Sequence, residues 1–256
     1  MTRRRWIADE VSGDSAALVG EHAAHLARVL RAEAGQSFDI AIGGEVRLGV
    51  ITSICEDRVE FALGEACKSW KAPAITLALA IFKFDRMEWA LEKCTEIGVA
   101  RIIPVMARRS EAHLVAAAAK RHERWLRIVR QAAEQSRRAA APEVTAAVKL
   151  KDLAGVLPSD AETRIVLAEA LADSVEESRL AGIVQSSFQS SSRSSVEPGR
   201  SDGGVVLAVG PEGGWADAEL GWFREAGWIA ASLGETILRA ETAAIVASAL
   251  AMVALR

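Results

Sequence analysis

The sequence has few cysteines, and none of the spacings in which cysteine and histidine usually hold a metal ion. Its three cysteines, Cys55, Cys67 and Cys94, form no C-x-x-C pair, and no H-E-x-x-H segment is present. This pattern excludes a disulfide framework and predicts free thiols, with Cys94 in a core because it falls on an apolar helix face. His22 and His25 lie three residues apart without a third ligand nearby, so we predict no metal site.

Long apolar runs are also missing. No apolar segment of the kind that directs secretion follows Met1-Thr-Arg-Arg-Arg, and the uncharged run 242–255 is too short to cross a bilayer. We therefore expect a cytoplasmic protein with no membrane partner, in which residues 242–255 form a buried helix.

The common nucleotide and hydrolase motifs are absent as well. The chain contains no G-x-G-x-x-G after a predicted strand, no G-x-x-x-x-G-K-[ST] and no G-x-S-x-G. A dinucleotide site of the Rossmann type, a P-loop NTPase and a serine hydrolase are therefore unsupported.

The composition is that of a globular protein with a segregated charge. Half of the 256 residues are hydrophobic and a quarter are charged, which excludes a disordered or collagen-like chain. The net charge is only −3, but residues 101–142 carry ten basic and three acidic side chains, a net +7. Such a stretch is typical either of a surface that binds a polyanion or of a solvated helix face.

Hydrophobic periodicity predicts two domains, residues 1–72 and 73–256. The first is β-rich, with strands at 37–42, 46–54 and 58–63, a Gly43-Gly44 hairpin and a short helix at 22–31. In the second domain strands alternate with helices, which indicates an α/β fold with a parallel sheet. Its strands are predicted at 75–82, 99–106, 164–168, 205–209 and 228–233, and its helices at 86–98, 120–136, 217–227 and 240–255. The Ser-rich residues 185–204 have almost no apolar side chains and are predicted to form a flexible loop.

Two segments at predicted strand ends are candidates for a ligand site. Val209-Gly210-Pro211-Glu212-Gly213-Gly214 follows one strand, and the segment from Leu233 to Thr242 follows another and opens the last helix. Ligands of open α/β sheets bind outside the carboxyl ends of strands, so the two loops could form one pocket. The pattern alone is equally compatible with two tight turns that bind nothing.

The same segments resemble the RsmE family of bacterial 16S rRNA uracil-N3 methyltransferases, which belongs to the SPOUT superfamily. The similarity lies in GPEGG at 210–214, in LG-x-x-ILR-x-ET at 233–242, and in the helix from Arg86-Met87-Glu88 to Gly98. Arg101-Ile102-Ile103-Pro104, Glu134-Gln135-Ser136 and the pattern from His25 to Arg31 fit further family segments in the same order. The resemblance covers almost the whole chain except the Ser-rich loop.

The resemblance implies a small PUA-like β-barrel that binds RNA, followed by a methyltransferase domain with a trefoil knot. It also implies a homodimer, S-adenosylmethionine as the cofactor, and 16S rRNA as the partner, within the assembled small ribosomal subunit. The cofactor would be held mainly by backbone groups of Ala168, Glu169, Gly210, Pro211, Glu212, Gly213, Leu233, Gly234, Ile237, Leu238 and Thr242.

Methylation of uracil N3 requires that the N3 proton leave. The reaction that the resemblance implies therefore needs a cation to stabilise the developing anion and a base to accept the proton. Arg239 is the candidate cation near O2 or O4, and Glu241 or Glu212 is the candidate base. A structural pair of Arg239 with Glu241, or a helix-capping role, is the alternative. The candidate RNA-binding residues are Arg3, Arg4, Arg5, Arg28, Arg31, Lys83, Arg86, Arg108, Arg109, Arg127, Arg130, Arg137 and Arg138.

The chain departs from the family pattern at three places. Arg137-Arg138 stands where family members often have Gly then Arg, Glu235-Thr236 replaces Pro-Arg, and the strand ending at Ala168-Glu169 lacks His-Pro. Two other functions remain open: ribose 2′-O methylation by a related SPOUT enzyme, and a non-catalytic RNA-binding protein of ribosome assembly.

Overall fold

The chain divides into two compact units. The computed structural model describes residues 5–67, 73–159, 161–168, 179–180, 182–184, 186 and 204–255. One unit comprises residues 1–71 with 130–141, and the other comprises residues 72–129 with 142–256. The sequence-based division at 72/73 therefore differs in one respect, because residues 130–141 group with the N-terminal unit. The predicted Ser-rich loop, 185–204, lies outside the described residues except for Ser186 and Gly204.

The first unit is built on a six-stranded sheet with the order β1-β4-β5-β6-β3-β2. Its strands are β1 (Arg5–Ile7), β2 (Glu10–Ser12), β3 (Ser15–Val19), β4 (Ser37–Ile42), β5 (Glu45–Ile54) and β6 (Arg58–Cys67). β1 pairs with β4 in parallel and the other pairs are antiparallel. The predicted β4–β5 hairpin is confirmed, since Gly43 and Gly44 both have positive φ, 55° and 93°.

A short helix covers one side of this sheet. α1 (Glu21–Ala24) continues as a π-helical turn over His25–Val29, where a single α-helical pattern was predicted for 22–31. Leu18, Leu26, Ile40 and Phe61 are fully buried and belong to one core cluster. This core gives the unit a hydrophobic centre of its own.

The second unit contains a seven-stranded sheet whose described pairs are all parallel, which confirms the α/β prediction. The strands are β7 (Ile75–Ala80), β8 (Arg101–Met106), β9 (Glu143–Val144), β10 (Val148–Lys149), β11 (Ala161–Leu167), β12 (Gly204–Val209) and β13 (Ile229–Ala231). Their order is β10-β8-β7-β12-β11-β13, with β9 paired to β8. β12 thus lies between β7 and β11, and the ends of β12, β11 and β13 are neighbours.

Four helices and a 3₁₀ helix (Leu150–Val156) accompany the second sheet. The helices are α2 (Phe84–Ile97), α3 (Ala112–Gln135), α4 (Asp217–Glu225) and α5 (Ala240–Ala254). α5 contacts β7 and β12 and packs against α2. Trp215, Phe223 and Trp228 join the sheet residues of the other core cluster. α3 begins eight residues before the predicted start at Lys120, because the Ala-rich stretch before it also favours helix.

Cys94 is buried in this unit, as predicted. Its side chain lies between α2 and α5, where the Ser248 hydroxyl is 3.6 Å from its sulfur. Burial raises the pKa of the Cys94 thiol to about 12, so it stays protonated and packs as a small apolar group.

The described residues include neither a membrane-spanning helix nor a cluster of metal ligands. No helix among them is both long and apolar enough to cross a membrane. No group of three or more His, Cys, Asp or Glu side chains in the same part of the chain is arranged to hold a metal ion.

Candidate functional site

The two loops singled out in the sequence line one cavity of the second unit. The cavity lies at the carboxyl ends of β11, β12 and β13 and has a volume of about 360 Å³. Leu167, Val209 and Ala231, the last residues of these strands, form part of its wall. The volume is within the range of small-molecule pockets, and the position is where open α/β sheets bind ligands.

The glycine turn after β12 contributes one wall with very little side-chain material. A Cβ atom at Gly210 would lie 3.2 Å from Nε1 of Trp215, closer than most real Cβ contacts. Trp215 is 5% exposed, and within the described residues its Nε1–H has no hydrogen-bond partner. Gly210 therefore lets the backbone and the indole come together at the cavity.

Gly213, in the same turn, is less crowded than Gly210. A Cβ atom placed there would lie 3.5 Å from the Arg109 side chain, an ordinary contact distance. The Arg109 guanidinium donates a hydrogen bond to the Gly213 carbonyl oxygen at 2.8 Å. Arg109, predicted as an RNA-binding residue, thus also forms part of the cavity wall.

The loop after β13 has a conformation that requires a glycine. Gly234 has a φ of +125°, which side chains of L-residues rarely adopt. Its N–H donates to the Ser232 hydroxyl oxygen at 3.1 Å, which fixes the turn next to the cavity. Leu233, Ile237 and Leu238 then line the cavity, and Ile237 is 90% exposed at its rim.

A buried carboxylate joins two loops beside the cavity. Glu219 of α4 is 6% exposed, and its oxygens accept hydrogen bonds from the Arg108 and Ala216 N–H groups, both at 2.8 Å. Because Leu220, the next residue, lines the cavity, these bonds connect the loop after β8, the glycine turn and the cavity wall.

Most predicted cofactor residues are brought together in this cavity. The predicted residues in its lining are Ala168, Gly210, Pro211, Glu212, Gly213, Leu233, Ile237 and Leu238. Gly234 and Thr242 are not in the lining, and the conformation of Gly234 indicates that it shapes the loop. Glu169 lies outside the described residues.

The candidate catalytic carboxylates meet at an arginine that was assigned to RNA. Arg86 of α2 forms ion pairs with Glu212, in the glycine turn, and with Glu241 Oε1 at 3.8 Å, in the first turn of α5. The Arg86 charge is therefore already partnered within the protein, and its RNA contact stays a prediction. Within the described chain, the second Glu241 oxygen is buried without a hydrogen-bond partner.

Arg239 does not pair with Glu241, the alternative considered from the sequence. It is exposed, forms no ion pair with another described residue, and occupies the N-cap position of α5 without a side-chain capping bond. Ala240, the next residue, lines the cavity. The three catalytic candidates thus differ in environment: Arg239 is exposed, Glu212 is half-buried at the cavity rim, and Glu241 is buried.

The structure also separates the predicted RNA-binding residues by their surroundings. Arg130 contacts Asp9 at 2.7 Å and the Ile7 carbonyl at 2.8 Å within its own unit, and its phosphate contact stays a prediction. Arg5 pairs with Asp39, and burial lowers the pKa of Arg138 to about 10. Arg3 and Arg4 lie outside the described residues. The exposed members of the set are Arg28, Arg31, Lys83, Arg108, Arg109, Arg127 and Arg137.

Sequence reasoning missed several residues of the cavity, above all Trp215 and Ser232. Trp215 directly follows the glycine turn, so its position next to GPEGG is a signal that could have placed it there. Ser232 precedes the second loop and gave no comparable signal.

The second unit, with its parallel sheet and the cavity at the ends of three adjacent strands, falls almost wholly within the part of the chain that matches a known family. Residues 69–252 match the RNA methyltransferase domain family, which defines the class of this chain.

Named relatives agree with this class. The ribosomal RNA small subunit methyltransferases E of Bacillus subtilis and Mycobacterium bovis are each 30% identical to the chain. The alignments cover 90% and 92% of the chain, and 86% and 85% of those proteins. The chain belongs to the ribosomal RNA small subunit methyltransferase E family.

Solved structures of the same kind superpose over nearly the full length. The ribosomal RNA small subunit methyltransferase E of Neisseria gonorrhoeae, bound to S-adenosyl methionine, has a TM-score of 0.75 at 29% identity. That match covers 97% of this chain and 96% of the other. A protein from Legionella pneumophila, solved with the cofactor SAM bound, has a TM-score of 0.78 at 26% identity and covers 99% and 98%.

Proposed function

We propose that this protein transfers the methyl group of S-adenosylmethionine to N3 of one uridine in 16S rRNA of the small ribosomal subunit. The observation that carries the proposal is the cavity at the ends of β11, β12 and β13, lined by the GPEGG and ILR segments. The relatives named above methylate small-subunit rRNA by name, and one was solved with the cofactor bound.

The residues present fit this cofactor. The cavity is wide enough for a small molecule, its glycine turn has no side chain at Gly210, and Trp215 Nε1–H is a buried donor without a described partner. When bound, the cofactor supplies an already activated methyl group on a sulfonium. The protein then has to orient the cofactor, exclude water and manage one proton of the uracil.

The surroundings of the carboxylates favour Glu212 as the group that accepts the uracil N3 proton. Glu212 lies in the cavity lining with its side chain 35% exposed, whereas the Glu241 side chain is only 6% exposed. A base must be within hydrogen-bond reach of the proton that it accepts, and of the two carboxylates only Glu212 lines the described cavity. Glu241 is then an anchor for Arg86, which holds the glycine turn against the start of α5.

Arg239 is the cation proposed to stabilise the negative charge that develops on uracil O2 or O4. It is exposed beside the cavity-lining Ala240, so its guanidinium is free to contact an entering base. We expect Arg239→Lys to retain part of the turnover and Arg239→Ala to lose about 100-fold in kcat, with cofactor affinity unchanged. Turnover of Arg239→Ala within a few-fold of the wild type would reject this role.

The same proposal includes the barrel, the knot and the oligomeric state. The six-stranded N-terminal sheet is proposed to form a PUA-like barrel, and the C-terminal segment to thread into a SPOUT trefoil knot. A homodimer is part of the same proposal, with Trp89 of α2 and Val253 of α5, apolar side chains that are 48% and 70% exposed, as the candidate contact residues. Action on assembled subunits would place the protein in the cytoplasm.

The deciding experiment uses labelled S-adenosylmethionine and small subunits from cells that lack this protein, followed by digestion and mass spectrometry. We expect labelled N3-methyluridine at a single site. Label on a ribose would assign the protein to the 2′-O-methylating branch instead. Failure to bind the cofactor in calorimetry would support the non-catalytic RNA-binding alternative.

A further inference from the structure

Another cavity, lined mostly by polar residues, lies in the N-terminal unit and shares no residue with the proposed methyl-transfer site. Its volume is about 330 Å³, and it is enclosed by β1, α1 and the last turns of α3. Its lining consists of Arg5, Trp6, Glu21, His22, His25, Gln131, Glu134 and Gln135. All of these residues belong to the same compact unit.

One wall of this cavity is aromatic. The Trp6 indole is 5% exposed, and the rings of His22 and His25 lie 6.4 Å and 5.8 Å from it, centroid to centroid. Both histidine rings are tilted against the indole, at 63° and 57°, and His25 is half-buried and forms no ion pair with a described residue. A planar ligand could therefore lie against its ring.

The opposite wall offers neutral hydrogen-bonding groups. Gln131 and Gln135 are exposed and lie four residues apart on α3, so their amides are on the same helix face. Each amide both donates and accepts, which is the combination that reads the edge of a base.

The base of the cavity is held rigid by a charged network. The Arg130 guanidinium contacts Asp9 at 2.7 Å and Glu134 at 3.4 Å, and His22 Nδ1 lies 3.4 Å from Asp9. These contacts fix His22 and Glu134 in the lining, so the cavity is preorganised.

The charges of the lining favour an uncharged ligand over a phosphate. Glu21 and Glu134 are both carboxylates, and the Arg5 guanidinium is already engaged by Asp39 and by the Arg137 carbonyl oxygen. A phosphate would meet two like charges, whereas a flat heterocycle would find a ring to stack on and amides to bind. Sequence-specific RNA recognition uses this combination for unpaired bases.

We propose that this cavity receives one unpaired nucleobase of the RNA substrate, distinct from the uridine that is methylated. The inference rests on the proposed function in that it takes RNA as the substrate. The proposed ligand is a flat heterocycle that packs against His25 and forms hydrogen bonds with the Gln131 and Gln135 amides.

The test compares Gln131→Ala/Gln135→Ala and His25→Ala with Gln36→Ala, an exposed glutamine of the same unit outside the lining. Binding of a small-subunit rRNA fragment and of the whole subunit is measured at fixed salt, together with kcat, KM for RNA and calorimetric affinity for S-adenosylmethionine. We expect RNA affinity to fall about tenfold and KM to rise about equally, with kcat and cofactor affinity within twofold of the wild type. Thermal unfolding verifies that each variant is folded.

Abasic substitutions identify the base. Removing one nucleobase at a time from the fragment should reveal a position whose loss weakens the wild type but not the double glutamine variant. Variants that bind RNA like Gln36→Ala, or an equal loss at every abasic position in both proteins, would overturn the proposal. If the wild type methylated no RNA, the proposed function would fail, while these binding measurements would still decide the cavity.

Discussion

Arg137 has an unusual backbone conformation at a position where the chain departs from the family pattern. It has a φ of +58°, a conformation in which a residue with a Cβ is strained by about 1–2 kcal/mol. A glycine, which the family pattern described above would have at this position, could adopt the same left-handed turn without that strain.

We expect Arg137→Gly to stabilise the protein by about 0.5–1 kcal/mol, because relief of the strain exceeds the added freedom of the unfolded chain. The carbonyl that accepts a hydrogen bond from Arg5 is retained in the variant. Urea unfolding measures the change, and Arg137→Ala is the matched control, since it removes the side chain but keeps the strained φ. A glycine variant no more stable than the alanine variant would contradict the interpretation.

A substitution at Gly213 tests whether the cofactor occupies the cavity. A Cβ there meets Arg109 at an ordinary 3.5 Å, and its φ is not positive, so Gly213→Val is compatible with the fold. The two added methyl groups fill space on the cavity wall, and we expect calorimetric binding of S-adenosylmethionine to be lost while the unfolding midpoint changes little.

Gly155→Val is the control for this variant, because the position has open space around it and lies outside the cavity. Cofactor affinity retained in Gly213→Val would show that the cofactor does not occupy this wall.

At the scale of elements, residues 130–135 of α3, which belong to the N-terminal unit, are attached to the rest of that unit by ionisable groups. Hydrogen bonding to Asp9 raises the pKa of His22 against the opposing effect of burial, and Glu134 adds to the rise. Burial raises the pKa of Asp9, but the hydrogen bonds from His22 and Val19 and the Arg130 charge outweigh it and leave that pKa lowered.

The two shifts predict a pH window for stability. The raised pKa of His22 stabilises the fold fully below its unfolded value of 6.5, and this contribution is lost as the pH rises through the folded pKa. The lowered pKa of Asp9 stabilises the fold above 3.8, and that contribution is lost as the pH falls through its folded pKa. Both contributions are therefore present between about pH 4 and 6.5.

We expect His22→Gln to cost about 1 kcal/mol of unfolding free energy at pH 5 and much less at pH 8.5. His113→Gln is the control, because His113 is 73% exposed and its contact with Glu111 is on the surface. Urea titrations at both pH values measure the difference; an equal cost at pH 5 and pH 8.5 would refute the coupling.

Elements were predictable where the pattern was long and periodic. β7, β8 and β12 and the helices α2 and α5 are found within three residues of their predicted ends. The short strands β1, β2, β3, β9 and β10 and the 3₁₀ helix were missed, because two to seven residues carry too little periodicity to be recognised. The π-helical turn at His25–Val29 likewise has no marker in the sequence.

The candidate site, too, could be predicted only in part from the sequence. Both loops were recognisable from their glycines and their position after strands, and they do share one cavity. The ion pairs of Arg86 with Glu212 and Glu241 join residues more than 120 positions apart, so only the folded sheet order reveals them. The sequence therefore indicated a possible RNA contact at Arg86 but gave no sign of its two ion pairs.

On the scale of the whole molecule, the exposed basic residues predict how RNA binding responds to salt. Seven described members of the predicted set are exposed, although Arg28 shares its charge with Glu56 at 3.5 Å. If about five contact phosphates of single-stranded RNA, log affinity should fall against log salt with a slope of about −3 to −4.

Single substitutions test which arginines contribute to that slope. Arg127→Ala should reduce its magnitude by about one, because Arg127 is exposed and each phosphate contact releases roughly one counterion. Arg47→Ala, the control, should leave the slope unchanged, because the Arg47 guanidinium is already paired with Asp14 at 2.9 Å and with the Gly64 carbonyl. Filter binding of the rRNA fragment from 50 to 300 mM salt, about the range over which such slopes are resolved, measures both variants. A flat dependence in the wild type would mean that the positive stretch at 101–142 is a solvated helix face, and that RNA is held chiefly by base contacts.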